Sequence, residues 1–205
     1  VWARAVGRIA GMRLDVRGTP PQPPFLLVSN HLGYFDIVAL SSAVDCTYVA
    51  RGDLARWPVI GAMCRAADII FTDRSRRRDI VPTSEQIAKA LASGDGVVLF
   101  AEGTSTDGSA VAPFKPSLLE PAVTEGRPVH YASLGYRTEP GEAPARTAVC
   151  WWGDMAFPGH LWGLLGLRGF DATVAFGGAP IGETDRKLLA VRLHDAVEGQ
   201  FTPIE

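Results

Sequence analysis

Apolar residues along the chain gather in short clusters separated by turn-forming stretches, the pattern of strands and helices packed around a common core. From Val1 to Val16 the apolar positions suit a helix or a strand laid against that core, and Gly18, Pro20, Pro21, Pro23 and Pro24 then break regular structure. Phe25-Leu26-Leu27-Val28 contains no polar residue, as expected of a strand covered on both faces. His31 to Val44 reads as a loop turning into a helix, Thr47 to Ala50 as a strand, Ala55 to Ala66 as a helix and Ile69 to Thr72 as a strand. Pro82 to Ala92 has helical spacing with Gly94 as its stop signal, and the strand Gly96-Val97-Val98-Leu99-Phe100 follows. Val129 to Leu134, Thr147 to Cys150 and Ala172 to Phe176 predict further strands. Leu161 to Leu167 reads as an amphipathic piece and Asp185 to Glu198 as a closing helix.

This alternation predicts an α/β fold, a single layered domain over residues 1–205 with a largely parallel or mixed central sheet flanked by helices. Composition agrees: 47% apolar and 20% charged residues are the proportions of a globular chain. Twenty basic against 22 acidic residues give a net charge of -2, which lacks the positive excess of a nucleic-acid binder. Cys46, Cys64 and Cys150 are odd in number, far apart and without CxxC spacing, so they read as reduced thiols, and no metal site is expected. No apolar run reaches the roughly 20 residues of a membrane-spanning helix, and no signal-peptide pattern opens the chain. The sequence opens on Val1 rather than Met, which is compatible with a membrane anchor outside it.

Three places carry candidate chemistry. The first is Asn30-His31-Leu32-Gly33-Tyr34-Phe35-Asp36, directly after the buried Phe25–Val28 run. An imidazole can take a proton from a hydroxyl, and a carboxylate on its other ring nitrogen fixes the tautomer and steadies the imidazolium. Residues five apart on an ideal helix point about 140° away from each other, so His31 and Asp36 meet only if His31 precedes the helix, a turn that Gly33 allows. An unrelated capping histidine and surface aspartate would give the same string.

The second place is Phe100-Ala101-Glu102-Gly103-Thr104-Ser105-Thr106-Asp107-Gly108, a strand running into a loop with a carboxylate, glycines and hydroxyls. Freed amides in such a loop can hold an anion or an oxyanion, and a plain Gly-rich turn is the alternative. The third is Phe71-Thr72-Asp73-Arg74-Ser75-Arg76-Arg77-Arg78, where arginine forks suit phosphate oxygens or form a solvated face.

Taken in order, these pieces resemble the 1-acylglycerol-3-phosphate acyltransferase family, the lysophospholipid acyltransferases. That family carries an NHxxxxD motif, a strand ending in Arg, an FPEGT motif and a later Pro-containing strand. Here they correspond to Asn30-His31 with Asp36, Phe71 with Arg74, Phe100-Ala101-Glu102-Gly103-Thr104, and Pro128-Val129. The resemblance covers roughly residues 25–136, and Trp57-Pro58 with Gly61 fits it too.

The resemblance implies a catalytic pair of His31 as general base and Asp36 as its orienting partner, with Asn30, Glu102, Gly103 and Thr104 shaping the acceptor or oxyanion site. Arg74 and Lys115 would supply positive charge for a phosphate. The donor would be acyl-CoA or acyl carrier protein, whose thioester brings the activation, so no cofactor is expected. The acceptor would be a lysolipid at a membrane surface, on the cytoplasmic face of the inner membrane, with the protein peripheral or held by a segment outside this chain. Two departures bear on the acceptor. Ala101 stands where the family has Pro, and Ser105 stands where many members have an Arg that meets the acceptor phosphate. Thr104-Ser105-Thr106-Asp107-Gly108 followed by Pro113-Phe114-Lys115 is more similar to the bacterial branch of lyso-ornithine-lipid acyltransferases.

Trp151, Trp152, Phe157, Leu161, Trp162, Leu165 and Phe170 crowd one stretch, which suits an interfacial segment, a packed core or the wall of an acyl channel. Two other activities use similar residues. A thioesterase or lipid hydrolase would turn the His–Asp pair on water or a serine, although no G-x-S-x-G elbow is present, and a non-catalytic lipid-binding protein would need none of His31, Asp36 and Glu102.

Overall fold

The computed structural model describes residues 2–51, 70–72 and 80–205. Helix α1 (Trp2–Ile9) leads into strand β1 (Met12–Arg17), so both readings of the first segment are realised in succession. Strand β2 (Phe25–Ser29), helix α2 (Phe35–Ala43), strands β3 (Thr47–Arg51) and β4 (Ile70–Thr72), helix α3 (Ile80–Ala92) and strand β5 (Gly96–Phe100) follow. A short helix α4 (Glu120–Thr124) precedes strand β6 (His130–Thr138). Helices α5 (Ala145–Ala148) and α6 (Phe157–Leu165), strand β7 (Phe170–Phe176) and helix α7 (Arg186–Glu198) complete the chain.

The seven strands form one sheet in the order β1-β7-β6-β2-β5-β3-β4. Every pairing is parallel except β6 with β7, so the sheet is mixed, as the sequence predicts. Both faces are covered. On one, Phe25, Leu27 and Val98 pack with Val38 and Leu40 of α2, Leu164 of α6 and Phe170. On the other, Leu26, Val28, Val97 and Leu99 pack with Ile87 and Leu91 of α3 and Leu189, Leu193 and Val197 of α7. Alternate residues of β2 thus enter different cores, which is why Phe25–Val28 has no polar member. Helix α7 starts at Asp185, whose side chain accepts from the Lys187 and Leu188 amides at 2.8 and 2.9 Å.

Thr147 to Cys150 is not a strand. The fixed φ of Pro144 opens a helical turn, and the Ala148 and Val149 amides donate back to the carbonyls of Pro144 and Ala145 at 2.9 Å. Val149 and Cys150 are buried, but β6 and β7 pair directly and leave no sheet position between them. The amphipathic piece read over Leu161–Leu167 begins earlier, at Phe157, where Pro158 occupies the first turn. The helix expected over Ala55–Ala66 and the arginine run Arg76–Arg78 lie outside the described residues, as does Cys64. Cys46 and Cys150 are free thiols, and burial pushes Cys46 up to about 11. Among the described residues no helix is long and apolar enough to cross a membrane.

Candidate active site

Strands β2 and β5 run side by side in parallel with Ser29 opposite Phe100, so the chain leaves the sheet from both at the same level. Their carboxyl ends deliver His31 and Glu102 to adjoining places, the edge at which open α/β sheets bind ligands. Residues 30–34 form a loop between β2 and α2, and this places His31 ahead of the helix that carries Asp36.

His31 Nδ1 lies 2.7 Å from Asp36 Oδ2. The same Oδ2 accepts from the Leu32 and Gly33 amides at 2.7 and 3.0 Å, and Oδ1 accepts from the Tyr136 hydroxyl at 2.8 Å. The Asp36 side chain is 0% exposed, so every donor it receives comes from the protein. A carboxylate holding two amide N–H groups and a phenol is built to accept, and this sets His31 with its proton on Nδ1. The imidazole stacks on Phe100, ring centroids 4.1 Å apart and planes 16° from parallel. Its Nε2 makes no hydrogen bond among the described residues, and the side chain is 23% exposed. The site therefore presents one ring nitrogen outward with its partner nitrogen fixed.

Gly33 is required by close approach. A Cβ there would lie 2.8 Å from the Trp151 nitrogen, whose N–H donates to Leu32 O at 2.8 Å and ties this loop to the residues before α6. A second tie runs through Tyr34, whose hydroxyl sits 2.9 Å from His160 Nδ1, while His160 Nε2 donates to Cys150 O at 2.9 Å. Burial lowers the His160 pKa and raises that of Tyr34, consistent with a neutral pair.

Glu102 is 2% exposed. Its Oε1 accepts the His31 amide at 3.0 Å, and Oε2 has no hydrogen-bond partner among the described residues. Burial pushes its carboxyl up to about 8, against the pull of the His31 and Ala112 amides, which favour the charged form. This fixes a sign. The folded state holds the Glu102 proton above the pH at which the unfolded chain releases it, so stability falls as pH rises from about 4.5 to about 8 and levels off beyond. Glu102→Gln, which keeps the shape and removes the titration, is expected to flatten that slope, gaining on the native chain by a few kcal/mol between pH 5 and pH 9. Denaturant unfolding of both chains at the two pH values measures it, and parallel curves would refute it.

The loop after β5 closes over His31: the Thr106 amide and hydroxyl donate to His31 O at 2.9 and 3.3 Å. Gly103 has φ +74°, and a Cβ there would meet Lys115 Nζ at 2.7 Å, so the glycine lets the Lys115 ammonium fold over the loop. The Gly103 amide is already committed to Phe100 O at 3.0 Å. Amides open to an anion are instead those of Thr104 and Ser105, which donate to no acceptor among the described residues. Thr104 and Lys115 are exposed, and Lys115 has no carboxylate partner among the described residues.

One expected residue stands apart from this cluster. Asn30 turns into the core, its Nδ2 donating to Leu134 O at 3.0 Å and its Oδ1 accepting from Leu134 N at 2.7 Å. Arg74 lies outside the described residues. Sequence reasoning missed Tyr136, Phe100 as a stacking partner, Thr106 and the Tyr34–His160 tie. Tyr34 sits in the same loop as His31, and the others lie in distant segments that no local spacing links to it.

The acyltransferase family pattern matches residues 13–133, more than half the chain, and that stretch contains all four motifs named above. The chain belongs to the acyltransferase family. This acyltransferase is 36% identical to the lyso-ornithine lipid O-acyltransferase of Brucella abortus (strain 2308), over 95% of its own length and 78% of the relative's. It is 31% identical to the 1-acyl-sn-glycerol-3-phosphate acyltransferase of Neisseria gonorrhoeae, over 84% of its length and 69% of the relative's. Its fold is similar to that of the 1-acyl-sn-glycerophosphate (LPA) acyltransferase PlsC from Thermotoga maritima, with a TM-score of 0.61 at 18% identity, covering 96% and 78% of the two chains. The layered α/β architecture expected from the sequence is thereby shared with a solved acyltransferase.

Proposed function

We propose that this acyltransferase moves a fatty acyl group from the thioester of acyl-CoA or acyl carrier protein onto a lysolipid hydroxyl, with His31 as general base and Asp36 positioning it. The observation that carries the reading is the His31–Asp36 contact, 2.7 Å at Nδ1 with Nε2 left open. Nε2 takes the acceptor's proton as the hydroxyl oxygen attacks the thioester carbonyl. The tetrahedral intermediate places its oxyanion against the Thr104 and Ser105 amides, then collapses and expels the thiolate, which takes the proton back from His31. One C–O bond forms, one C–S bond breaks, and no acyl-enzyme, metal or cofactor enters the sequence.

For the acceptor we favour lyso-ornithine lipid over lysophosphatidate. Ser105 replaces an arginine suited to a phosphomonoester, and the Brucella relative, at 36% identity, bears that substrate in its name. Lys115 then offers its charge to the carboxylate of the headgroup, with Glu102, Gly103 and Thr104 lining the approach.

Both acceptor and product are lipids, so the reaction belongs at a membrane surface, on the cytoplasmic face of the inner membrane in this reading. Helix α6 supports it: none of its nine residues is Asp, Glu, Lys or Arg, and Trp162 is 75% exposed. The experiment is acyl transfer from labelled acyl-CoA and from acyl carrier protein to a panel of lysolipids in micelles. Transfer that needs an acceptor and prefers lyso-ornithine lipid supports the proposal. Faster acylation of lysophosphatidate would overturn the headgroup assignment, and acyl release to water without acceptor would favour the thioesterase.

A further inference from the structure

The Asp36 carboxylate is held on both sides, and the second hold comes from a residue no motif marks. Tyr136 lies near the end of β6, 100 residues from Asp36 in sequence, and its hydroxyl donates to Asp36 Oδ1 at 2.8 Å. We infer that Tyr136 is a positioning residue for acyl transfer, acting through Asp36 to keep Oδ2 aimed at His31 Nδ1. The inference rests on the reading of His31 as base.

Three observations carry it. The tyrosine is 5% exposed and its ring meets Phe170 edge-on, centroids 6.1 Å apart, so phenylalanine would fill the same core space and the hydroxyl is not needed for packing. A buried hydroxyl costs free energy unless it is hydrogen-bonded, and among the described residues Asp36 is its one partner. The geometry also divides labour between the two carboxylate oxygens. Oδ2 receives His31 Nδ1, Leu32 N and Gly33 N, all from the loop after β2, whereas among the described residues Oδ1 receives only Tyr136. The Oδ2 donors come from the same short segment as Asp36, three to five residues before it, whereas Tyr136 stands on a strand inside the sheet, paired to β7 at Ala172. It therefore fixes the carboxylate plane relative to the sheet, and through it the imidazole stacked on Phe100. Burial and the adjoining Asp36 carboxylate both hold the phenol well above its ordinary pKa, so it remains a donor throughout.

The test is Tyr136→Phe in the full chain. We expect kcat to fall about 10- to 30-fold, the scale of one hydrogen bond to a charged group, with KM for donor and acceptor within about twofold and a lowered unfolding midpoint, because the buried Asp36 Oδ1 loses its donor. The low-field proton resonance of the His31 Nδ1–H, assigned by its loss in His31→Ala, should shift in the same variant. A purely structural role of the hydrogen bond would lower the unfolding midpoint but leave kcat of the folded protein and that resonance in place. Native kcat with an unmoved resonance overturns the inference while leaving His31 as base intact. Should the native chain transfer no acyl group at all, the reading of His31 fails instead, and the resonance still reports whether Tyr136 governs the Asp36–His31 contact.

Discussion

His31→Ala is expected to lower kcat for acyl transfer by about 10²- to 10⁴-fold, the usual contribution of a positioned general base. The imidazole is held at Nδ1 by a carboxylate that is itself fully committed, and it rests on Phe100, so its removal takes away the ring nitrogen that the site presents outward. Folding should survive, because the His31 contacts that tie the chain together are made by its backbone: the amide donates to Glu102 and the carbonyl accepts from Thr106. Rate loss with an unchanged unfolding midpoint is therefore the expected signature in single-turnover assays of the purified chain. Asp36→Ala should differ in kind. It strands two buried amides and a phenol as well as the imidazole, so it costs stability along with rate. Equal turnover in native protein and His31→Ala would end the mechanism proposed above.

Asn30→Leu is expected to destabilise the fold by about 2–4 kcal/mol, since two buried backbone groups lose their only partner from this side. The ladder between β2 and β6 ends at Ser29 opposite Ala132, and the Asn30 side-chain amide then imitates one more peptide, giving and accepting a bond with Leu134. Leucine has the same bulk and neither bond. For a chain of this length that loss would lower the melting temperature by roughly 5–15 °C, measurable by calorimetry. Activity should fall with it, because His31 is the next residue and inherits its position from where β2 is pinned. A melting temperature within a degree of the native value would show that Asn30 does not staple these strands.

The sequence by itself determined a good deal. The unbroken apolar run Phe25–Val28 marks a strand with a core on each face, and the alternation of such runs with helical segments implies the mixed α/β layering found in the structure. His31, Asp36 and Glu102 were legible as chemistry because two motifs each follow a buried strand, and parallel neighbours leave the sheet at one level. What the sequence could not show was decided by contacts between distant segments. Thr147–Cys150 has strand-like composition but starts after Pro144 and turns into a helix, because β6 and β7 already occupy each other's edges. Asn30 looks like part of the reactive motif, yet its side chain closes a gap in the sheet. Tyr136 has no local signal at all, and it reaches Asp36 because β6 lies beside β2, carrying the end of its strand past the loop where the carboxylate is buried. Local pattern specifies which groups are present and which element carries them. The hydrogen bonds around His31 and Asp36 depend on the orientation of residues 100 positions apart, and only the folded sheet sets that orientation.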